Sequence, residues 1–392
     1  MRVLQIVPSI SLIYGGPSQM ALGLSEALAA QGIEVTILTT DSNGDSGQAP
    51  LDVPLDRPVE QNGYRIRYFR CSPFKRYKFS LPLFRWLNDH AQEYDIAHIH
   101  ALFSPVSSIA ASICRRNRLP YILRPLGTLD PADLQKKKQI KQLYAAILEK
   151  PNLAGAAAVH FTSPQECEVS ERFGTNPRAI VMPLGVQLPR LDQPEQAIAS
   201  LRQELQLPSD RPILLFLSRI DPKKGLDLLF PALEQLLAEG LSFQLVLAGG
   251  NPQDPGYEHR VQQQIAASPL RACTTIPGFV WGDRKLALLA ASDLFVLPSY
   301  YENFGIAVAE AMAAHLPVVI SDQVHIYRDI ETAEAGWVSQ CTVDSLRDQL
   351  RSALKDAGER QVRGQNAARC AREKYSWSAI AHQLQQLYGE LR

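Results

Sequence analysis

An excess of charge of either sign is missing from this sequence: 40 Lys and Arg stand against 40 Asp and Glu. Without a basic surplus there is no general electrostatic footprint for nucleic acid, and that class of partner is excluded first. Paired cysteines are missing too. Cys71, Cys114, Cys167, Cys273, Cys341 and Cys370 include no C-x-x-C pair, so neither a zinc site nor a disulfide framework fits and reduced thiols are expected. No apolar run approaches the roughly 18 residues that a membrane helix needs. The opening MRVLQIVPS reads as a strand and not as a signal peptide, so the expected location is the cytoplasm. What is present is a 392-residue chain, 46% hydrophobic, long enough for two domains that each bury a core.

Short apolar strands alternate with amphipathic helices throughout, the pattern of parallel sheets covered on both faces. The spacing predicts strands at Val3–Val7, Val35–Leu38, Tyr64–Phe69, Ile96–Ile99, Tyr121–Leu123, Ala157–Phe161 and Ala179–Met182. After a polar, proline-rich stretch a second series follows at Ile213–Leu217, Phe243–Ala248, Thr274–Ile276, Leu294–Leu297 and Val318–Ile320. The expected fold class is α/β: two Rossmann-like, doubly wound parallel-sheet domains over 1–188 and 211–375, joined by a linker over 189–210. Ligands of such sheets sit at the carboxyl ends of the strands. The site is therefore expected in a cleft between the domains, built from loops of both. Residues 376–392 carry Trp377, Ile380, Leu384, Leu387 and Leu391 at helical spacing, and that face must pack on one domain or the other.

The stretch 298–322, PSYYENFGIAVAEAMAAHLPVVISD, concentrates the chemistry. Glu310 is the sole ionisable group between Phe304 and Ala314, in a run of small and apolar residues that reads as a buried helix. An unpartnered carboxylate there costs on the order of several kcal/mol. The preceding strand, LFVLPS, puts Glu302 on the strand-to-helix loop and Gly305 near the helix start. Free backbone N–H groups and the positive end of the helix dipole suit a phosphate at that point. The reading is Glu302 for a polar ligand group, the helix N-terminus for phosphate and Glu310 for hydroxyls.

Five further segments carry candidates. In ILLFLSRIDPKKGLDLLF a strand runs into Arg219, Lys223 and Lys224. Arg219, with its planar fork, and Lys224, as a point charge, suit a diphosphate, while Lys223 reads as exposed. In IPGFVWGDRKLALLAASD, Phe279 and Val280 offer an apolar wall for a nucleobase, although core packing explains them equally well. Gly15 and Gly16 precede Pro17 and a helix, allowing either close approach of a phosphate or acceptor to backbone or a plain tight turn. They do not make a G-x-G-x-x-G fingerprint. In DIAHIHALFSP, His98 and His100 share one strand face, but no further ligands at metal spacing accompany them and no metal is expected. His100, nearer the strand's carboxyl end, is the functional candidate; His98 reads as a satisfied buried histidine. The segment 133–150, DLQKKKQIKQLYAAILEK, sets Leu134, Ile140, Leu143, Ile147 and Leu148 on one helical side and lysines around the other. It suits peripheral contact with an anionic bilayer or a lipid-linked substrate, or else a solvated helix face.

Taken together, these residues resemble the retaining glycosyltransferases of the GT-B fold, glycosyltransferase family 4 (group 1). The resemblance spans nearly the whole chain. Its most specific element is the E-x7-E motif, matched by Glu302 and Glu310, with HIHALFS and SRIDPKKGLD in order before it. It implies a nucleoside diphosphate sugar donor, UDP- or GDP-linked, no separate cofactor, and a sugar or lipid-linked acceptor. Glu310 would hold the ribose hydroxyls and Glu302 the sugar hydroxyls, with amides of Asn303, Phe304 and Gly305 near sugar and phosphates. Arg219 and Lys224 would bind the leaving diphosphate, His100 would lie near the transferred sugar, and Gly15 and Gly16 near phosphate and acceptor. The C-terminal helix would cross back to the first domain. His315 and Ser218 stand where the family's pattern has glycine, and Leu184 where it has asparagine; SDQVHIYRDIETAEAGW lacks the glycine pair often found there.

The implied reaction is a metal-independent, retaining hexosyl transfer in polysaccharide, lipopolysaccharide or glycolipid biosynthesis. Separation of the diphosphate through an oxocarbenium-like transition state is its charge problem. The departing phosphate would itself take the acceptor's proton, which fits a chain with no obvious nucleophile and no D-x-D. Domain closure would exclude water. Three rivals remain. An NAD-dependent oxidoreductase lacks its fingerprint loop; a sugar-nucleotide-binding protein would never turn the donor over; a sugar-nucleotide epimerase would return an altered sugar still on its nucleotide.

Overall fold

Two sheets organise the chain. The first orders its strands β3-β4-β2-β1-β5-β6-β7-β8, where β1 is Arg2–Ile6, β2 Glu34–Thr40, β3 Val59–Gln61, β4 Tyr64–Phe69, β5 Ile96–His100, β6 Tyr121–Arg124, β7 Ala158–Phe161 and β8 Ala179–Val181. The second orders its strands β11-β10-β9-β12-β13-β14, with β9 at Ile213–Leu217, β10 at Gln244–Ala248, β11 at Thr274–Gly278, β12 at Leu294–Leu297, β13 at Val318–Ser321 and β14 at Gly336–Ser339. This computed structural model describes every residue except 15, 45–47, 73–77, 135–137, 188–190 and 253, and at 132, 133, 138, 140 and 141 it describes backbone alone. Among the described residues every strand pair is parallel except β3 against β4. The doubly wound α/β class read from the alternating pattern is the fold observed.

Period-two alternation assigns the first sheet's side chains to two cores. Leu4, Ile6, Leu38 and Ile99 pack on one face with the helices Leu81–His90 and Pro105–Arg116. Val3, Val35, Ile37 and Ile122 pack on the other with the helix Gly16–Ala30 and with Ile380, Leu384, Leu387 and Tyr388. Helices start where the sequence supplies a cap and a proline: Ser163 Oγ accepts from Glu166 N ahead of Pro164, and Asp254 Oδ1 accepts from Tyr257 N ahead of Pro255.

The chain divides into one unit of Met1–Gly185 with Trp377–Arg392 and a second of Val186–Ser376. The C-terminal helix, Trp377–Leu391, is thus part of the first unit. Its leading Trp377 lies where a Cβ on Gly185 would fall 2.1 Å from the indole, so only glycine fits beneath it. The stretch 189–210, read as a linker, contains a helical piece. Pro194–Glu204 is a helix of the second unit, with Leu201 buried, Arg202 donating to the Ala291 carbonyl at 2.9 Å and Glu204 paired with Arg284 at 2.7 Å.

Two strands escaped the periodicity. Val59–Gln61 is too short and too polar to read as a strand, yet it forms a hairpin with β4 around Asn62-Gly63, both at positive φ as such tight turns require. Gly336–Ser339 is four residues with no alternation and closes the edge beside β13. His315, standing where the resembled pattern has glycine, adopts φ +64, a left-handed conformation that costs a side-chain-bearing residue roughly 1–2 kcal/mol.

Candidate active site

In the second sheet the strand order reverses between β9 and β12, and the crevice outside the carboxyl ends at such a switch point is where doubly wound sheets bind ligands. The loop after β9 carries Arg219 to Gly225 and the loop after β12 carries Pro298 to Gly305. They touch because Gly225, at φ +70, has no side chain: a Cβ there would fall 2.0 Å from the Pro298 carbonyl oxygen. Tyr300 N donates to the Lys223 carbonyl at 2.8 Å, and Tyr300 Oη to Asp227 Oδ2 at 2.7 Å. This seam delivers Lys224 Nζ onto Glu302 Oε2 as a largely buried ion pair. Gly225→Ala is expected to separate the loops. The left-handed backbone alone costs about 1–2 kcal/mol, which lowers the thermal midpoint by roughly 2–8 °C. A calorimetric scan of the variant checks this.

Glu302 is also fixed by its backbone, which donates from N to the Gln323 carbonyl at 3.1 Å and accepts from His325 N at 3.0 Å. Residues 323–325 follow β13 and were not among the sequence candidates, because they lack the glycines that would have marked them. Eight residues beyond Glu302, Glu310 lies on the helix Ile306–Ala313 among buried Val308, Ala309, Ala311 and Met312. The partner its setting demands within the protein is Lys285, whose Nζ donates to Glu310 Oε1 at 2.7 Å. Lys285, on the helix Gly282–Ala291, was missed, since only packing across two helices brings it there. The pair places a carboxylate at the helix that follows the switch-point loop, with hydrogen-bonding capacity left over for hydroxyls.

The remaining candidates of this unit separate clearly. Gly305 caps the helix Ile306–Ala313 at φ +81, and the first N–H groups beyond it have no partner inside the helix, as an anion site requires. Phe304 is buried edge-on against Tyr375, ring centroids 5.3 Å apart, so its side chain is packing and only its backbone can meet a ligand. Asn303, beside it, is half-buried. Arg219 is 58% exposed, its nearest carboxylate being Asp221 at 4.0 Å, and Lys223 is exposed. Val280 is core, whereas Phe279 is 75% and Trp281 74% exposed, so packing accounts for Val280 but not for the two aromatics flanking it. Asn251, also absent from the candidates, braces the loop after β9 by donating from Nδ2 to the Ile220 carbonyl at 2.9 Å.

In the first unit the order reverses between β1 and β5. Gly15 lies outside the described residues; Gly16 opens the helix Gly16–Ala30. His100 ends β5, buried, with Nε2 2.6 Å from Gln5 Oε1 and Nδ1 lacking a hydrogen-bond partner among the described residues. His98 is satisfied on both nitrogens, by Tyr388 Oη at 2.7 Å and His160 Nδ1 at 3.3 Å. Burial holds His98, His100 and His160 well below the usual histidine range, helped by the Arg124 guanidinium. Arg124 itself is lowered to about 10 by the same burial. Just past His100, Ala101 and Phe103 take φ +61 and +58, strain of the kind that gathers at functional sites. Glu149 clamps that loop, accepting from Phe103 N at 2.8 Å and Ser108 Oγ at 2.6 Å.

Glu149 belongs to a π-helical turn, Ala145–Glu149, and this turn corrects the reading of 133–150 as one regular amphipathic helix. It shifts the phase so that Ala145 and Glu149 face inward while Leu143 and Ile147 face solvent. Among the described residues no group of three His, Cys, Asp or Glu could hold a metal ion, and no helix is long and apolar enough to cross a membrane.

Residues 15–185 match the glycosyl transferase 4-like domain and residues 198–369 match glycosyl transferases group 1. The α-D-kanosaminyltransferase of Streptomyces kanamyceticus is 34% identical over 194 residues, 49% of either chain. The D-inositol 3-phosphate glycosyltransferase of Xylanimonas cellulosilytica is 28% identical over 397 residues, covering 96% of this chain and 92% of its own. Among solved structures, HepE of Anabaena in complex with UDP superposes with a TM-score of 0.77 at 19% identity, over 100% of both chains.

Proposed function

We propose, for a chain that belongs to the glycosyltransferases of the GT-B type through its glycosyl transferase 4-like and group 1 domains, that the reaction is retaining transfer of a hexosyl unit from a nucleoside diphosphate sugar to an acceptor hydroxyl. The observation that carries this reading is the meeting of Lys224 and Glu302 at the β9/β12 switch point, one helix turn from the N-terminus capped by Gly305. Lys224, with Arg219 and the N–H groups of that helix, neutralises the departing diphosphate without a metal. Glu302, its charge already matched by Lys224, accepts hydrogen bonds from the sugar's hydroxyls and does not act as a nucleophile. Glu310 accepts from the ribose hydroxyls, and exposed Phe279 and Trp281 flank the place for the base.

UDP-sugars lead the donor candidates, because HepE has been solved with UDP and with UDP-glucose; GDP-sugars follow. The Xylanimonas relative's name makes a phosphorylated polyol the first small acceptor to try. Lipid-linked acceptors suit the first unit, where exposed Leu143 and Ile147 lie in a lysine-rich segment able to rest on an anionic bilayer. The corresponding location is the cytoplasm, at the inner face of its membrane.

The test is a product analysis by proton NMR with α-linked UDP-, GDP- and ADP-sugars and a panel of sugar phosphates, inositol phosphates and lipid-linked oligosaccharides. An α-linked product is expected. A β-linked product would overturn retention, and a modified sugar still on its nucleotide would replace transfer by epimerisation.

A further inference from the structure

A hydrogen-bond chain with a single direction runs through the core of the first unit, and its far end is His100. It begins at the Met182 carbonyl, which can only accept. His160 Nε2 lies 2.8 Å away and so carries a proton. A buried, neutral imidazole has one proton, so His160 Nδ1 is an acceptor, and the proton in its 3.3 Å contact comes from His98 Nε2. His98 Nδ1 is then an acceptor in turn, and the hydroxyl of Tyr388, 2.7 Å away, must donate to it. With its one hydrogen committed, Tyr388 Oη accepts from Gln5 Nε2 at 3.2 Å. The amide is thereby oriented with Oε1 toward His100, whose Nε2 donates to it at 2.6 Å.

We infer that this chain locks His100 as its Nε2–H tautomer and that Gln5, Tyr388, His98 and His160 are positioning residues for it. His100 Nδ1 is left as a bare lone pair at the carboxyl end of β5, with no partner among the described residues. Beside it in register on β6, Arg124 is likewise buried with Nε unpartnered. An acceptor kept dry and unpaired costs stability unless a donor arrives. The chemical class that completes it is a hydroxyl, from a carbohydrate on either the donor or the acceptor side. That last step rests on the glycosyl-transfer reading; the tautomer does not. Tyr388 stands on the C-terminal helix, so the last turns of the chain, 290 residues from His98 in sequence, set the proton on a histidine of the first domain's site edge.

Long-range proton–nitrogen correlation spectra of the full chain labelled with 15N-histidine, at pH 7.5, read which ring nitrogen bears the proton, with His100→Gln giving the assignment. The wild type is expected to show His100 protonated on Nε2 and bare on Nδ1, with His98 and His160 in the same tautomer. Tyr388→Phe removes the donor to His98 and frees the Gln5 amide to turn, so a Nδ1–H form of His100 should appear. A wild-type His100 protonated on Nδ1, or on both nitrogens, overturns the inference, as does a Tyr388→Phe spectrum with His100 unchanged. The wild-type spectrum decides even if that variant fails to fold. Because no turnover is involved, the expected tautomer in a protein that transfers no sugar would support the relay and sink the transfer reading alone.

Discussion

Lys224→Met is expected to lower kcat by about 10²–10³, the loss seen when one preorganised donor to developing transition-state charge is removed. Two effects act together. In the proposed transfer the leaving diphosphate would lose its buried cation, while Glu302 loses the partner that offsets its own charge. The released carboxylate then stands as a negative charge beside a separating anion, opposing it. Arg219 meets the same diphosphate but, being exposed, does not make up for the buried charge that is lost. Lys224→Arg restores the charge but brings a planar fork to a site shaped for a point charge, so partial recovery is expected. Steady-state kinetics on the three proteins check the order wild type, Lys224→Arg, Lys224→Met; equal kcat in wild type and Lys224→Met would remove Lys224 from the reaction.

Acidification from pH 7.5 to 5.5 is expected to take ~4 kcal/mol from the stability of the first unit. His98, His100 and His160 are fully buried and neutral when folded, with pKa values depressed well below 6.5. The unfolded chain takes up a proton on each as pH falls through about 6.5, while the folded chain does not. Below that value the unfolded state binds more protons, so stability falls with pH at about 1.4 kcal/mol per unit for each histidine. The stability is therefore fully present above the unfolded pKa and lost progressively on the acid side. Glu149, raised by burial, has the opposite sign, but it is one carboxyl acting in a more acidic window. Hydrogen exchange followed by mass spectrometry reads this unit alone. After correction for intrinsic rates, protection of peptides from β5, β6 and β7 should fall roughly 10³-fold between the two pH values. Unchanged protection would mean that the three imidazoles are not held neutral.

Both sheets were legible in the sequence because parallel strands buried on two faces write themselves as apolar runs, and the runs at Val3, Ile96, Ile213 and Leu294 carry no ambiguity. Val59–Gln61 was not legible, since an edge strand of three residues has nothing to alternate against; its Asn62-Gly63 turn was the available signal. The site was legible where charge interrupts an apolar pattern, as at Glu310, or sits at a strand end, as at Lys224. It was illegible where the partner comes from another element. Lys285 reads as an ordinary helix-surface lysine until packing sets it against Glu310. Gln5 and Tyr388 read as one polar residue in a buried strand and one aromatic on an amphipathic helix, and only the fold joins them to His100. In the segment 133–150 the apolar stripe and the buried face differ: Leu143 and Ile147 stand exposed, while Ala145 and Glu149 of the π turn are buried, and Glu149 gives no apolar signal in the sequence.

Donor binding in the β9/β12 crevice is read by thermal unfolding of wild type and Glu310→Ala against UDP-, GDP- and ADP-sugars. At least one sugar nucleotide should stabilise the wild type, by about 2.7 kcal/mol at one hundred times its Kd, a rise in midpoint of roughly 5–11 °C. Glu310→Ala should lose most of that rise, since the ribose hydroxyls lose their acceptor and Lys285 its partner. A wild type that no sugar nucleotide stabilises, or a Glu310→Ala protein stabilised as fully as the wild type, would mean that this crevice does not hold the donor through Glu310.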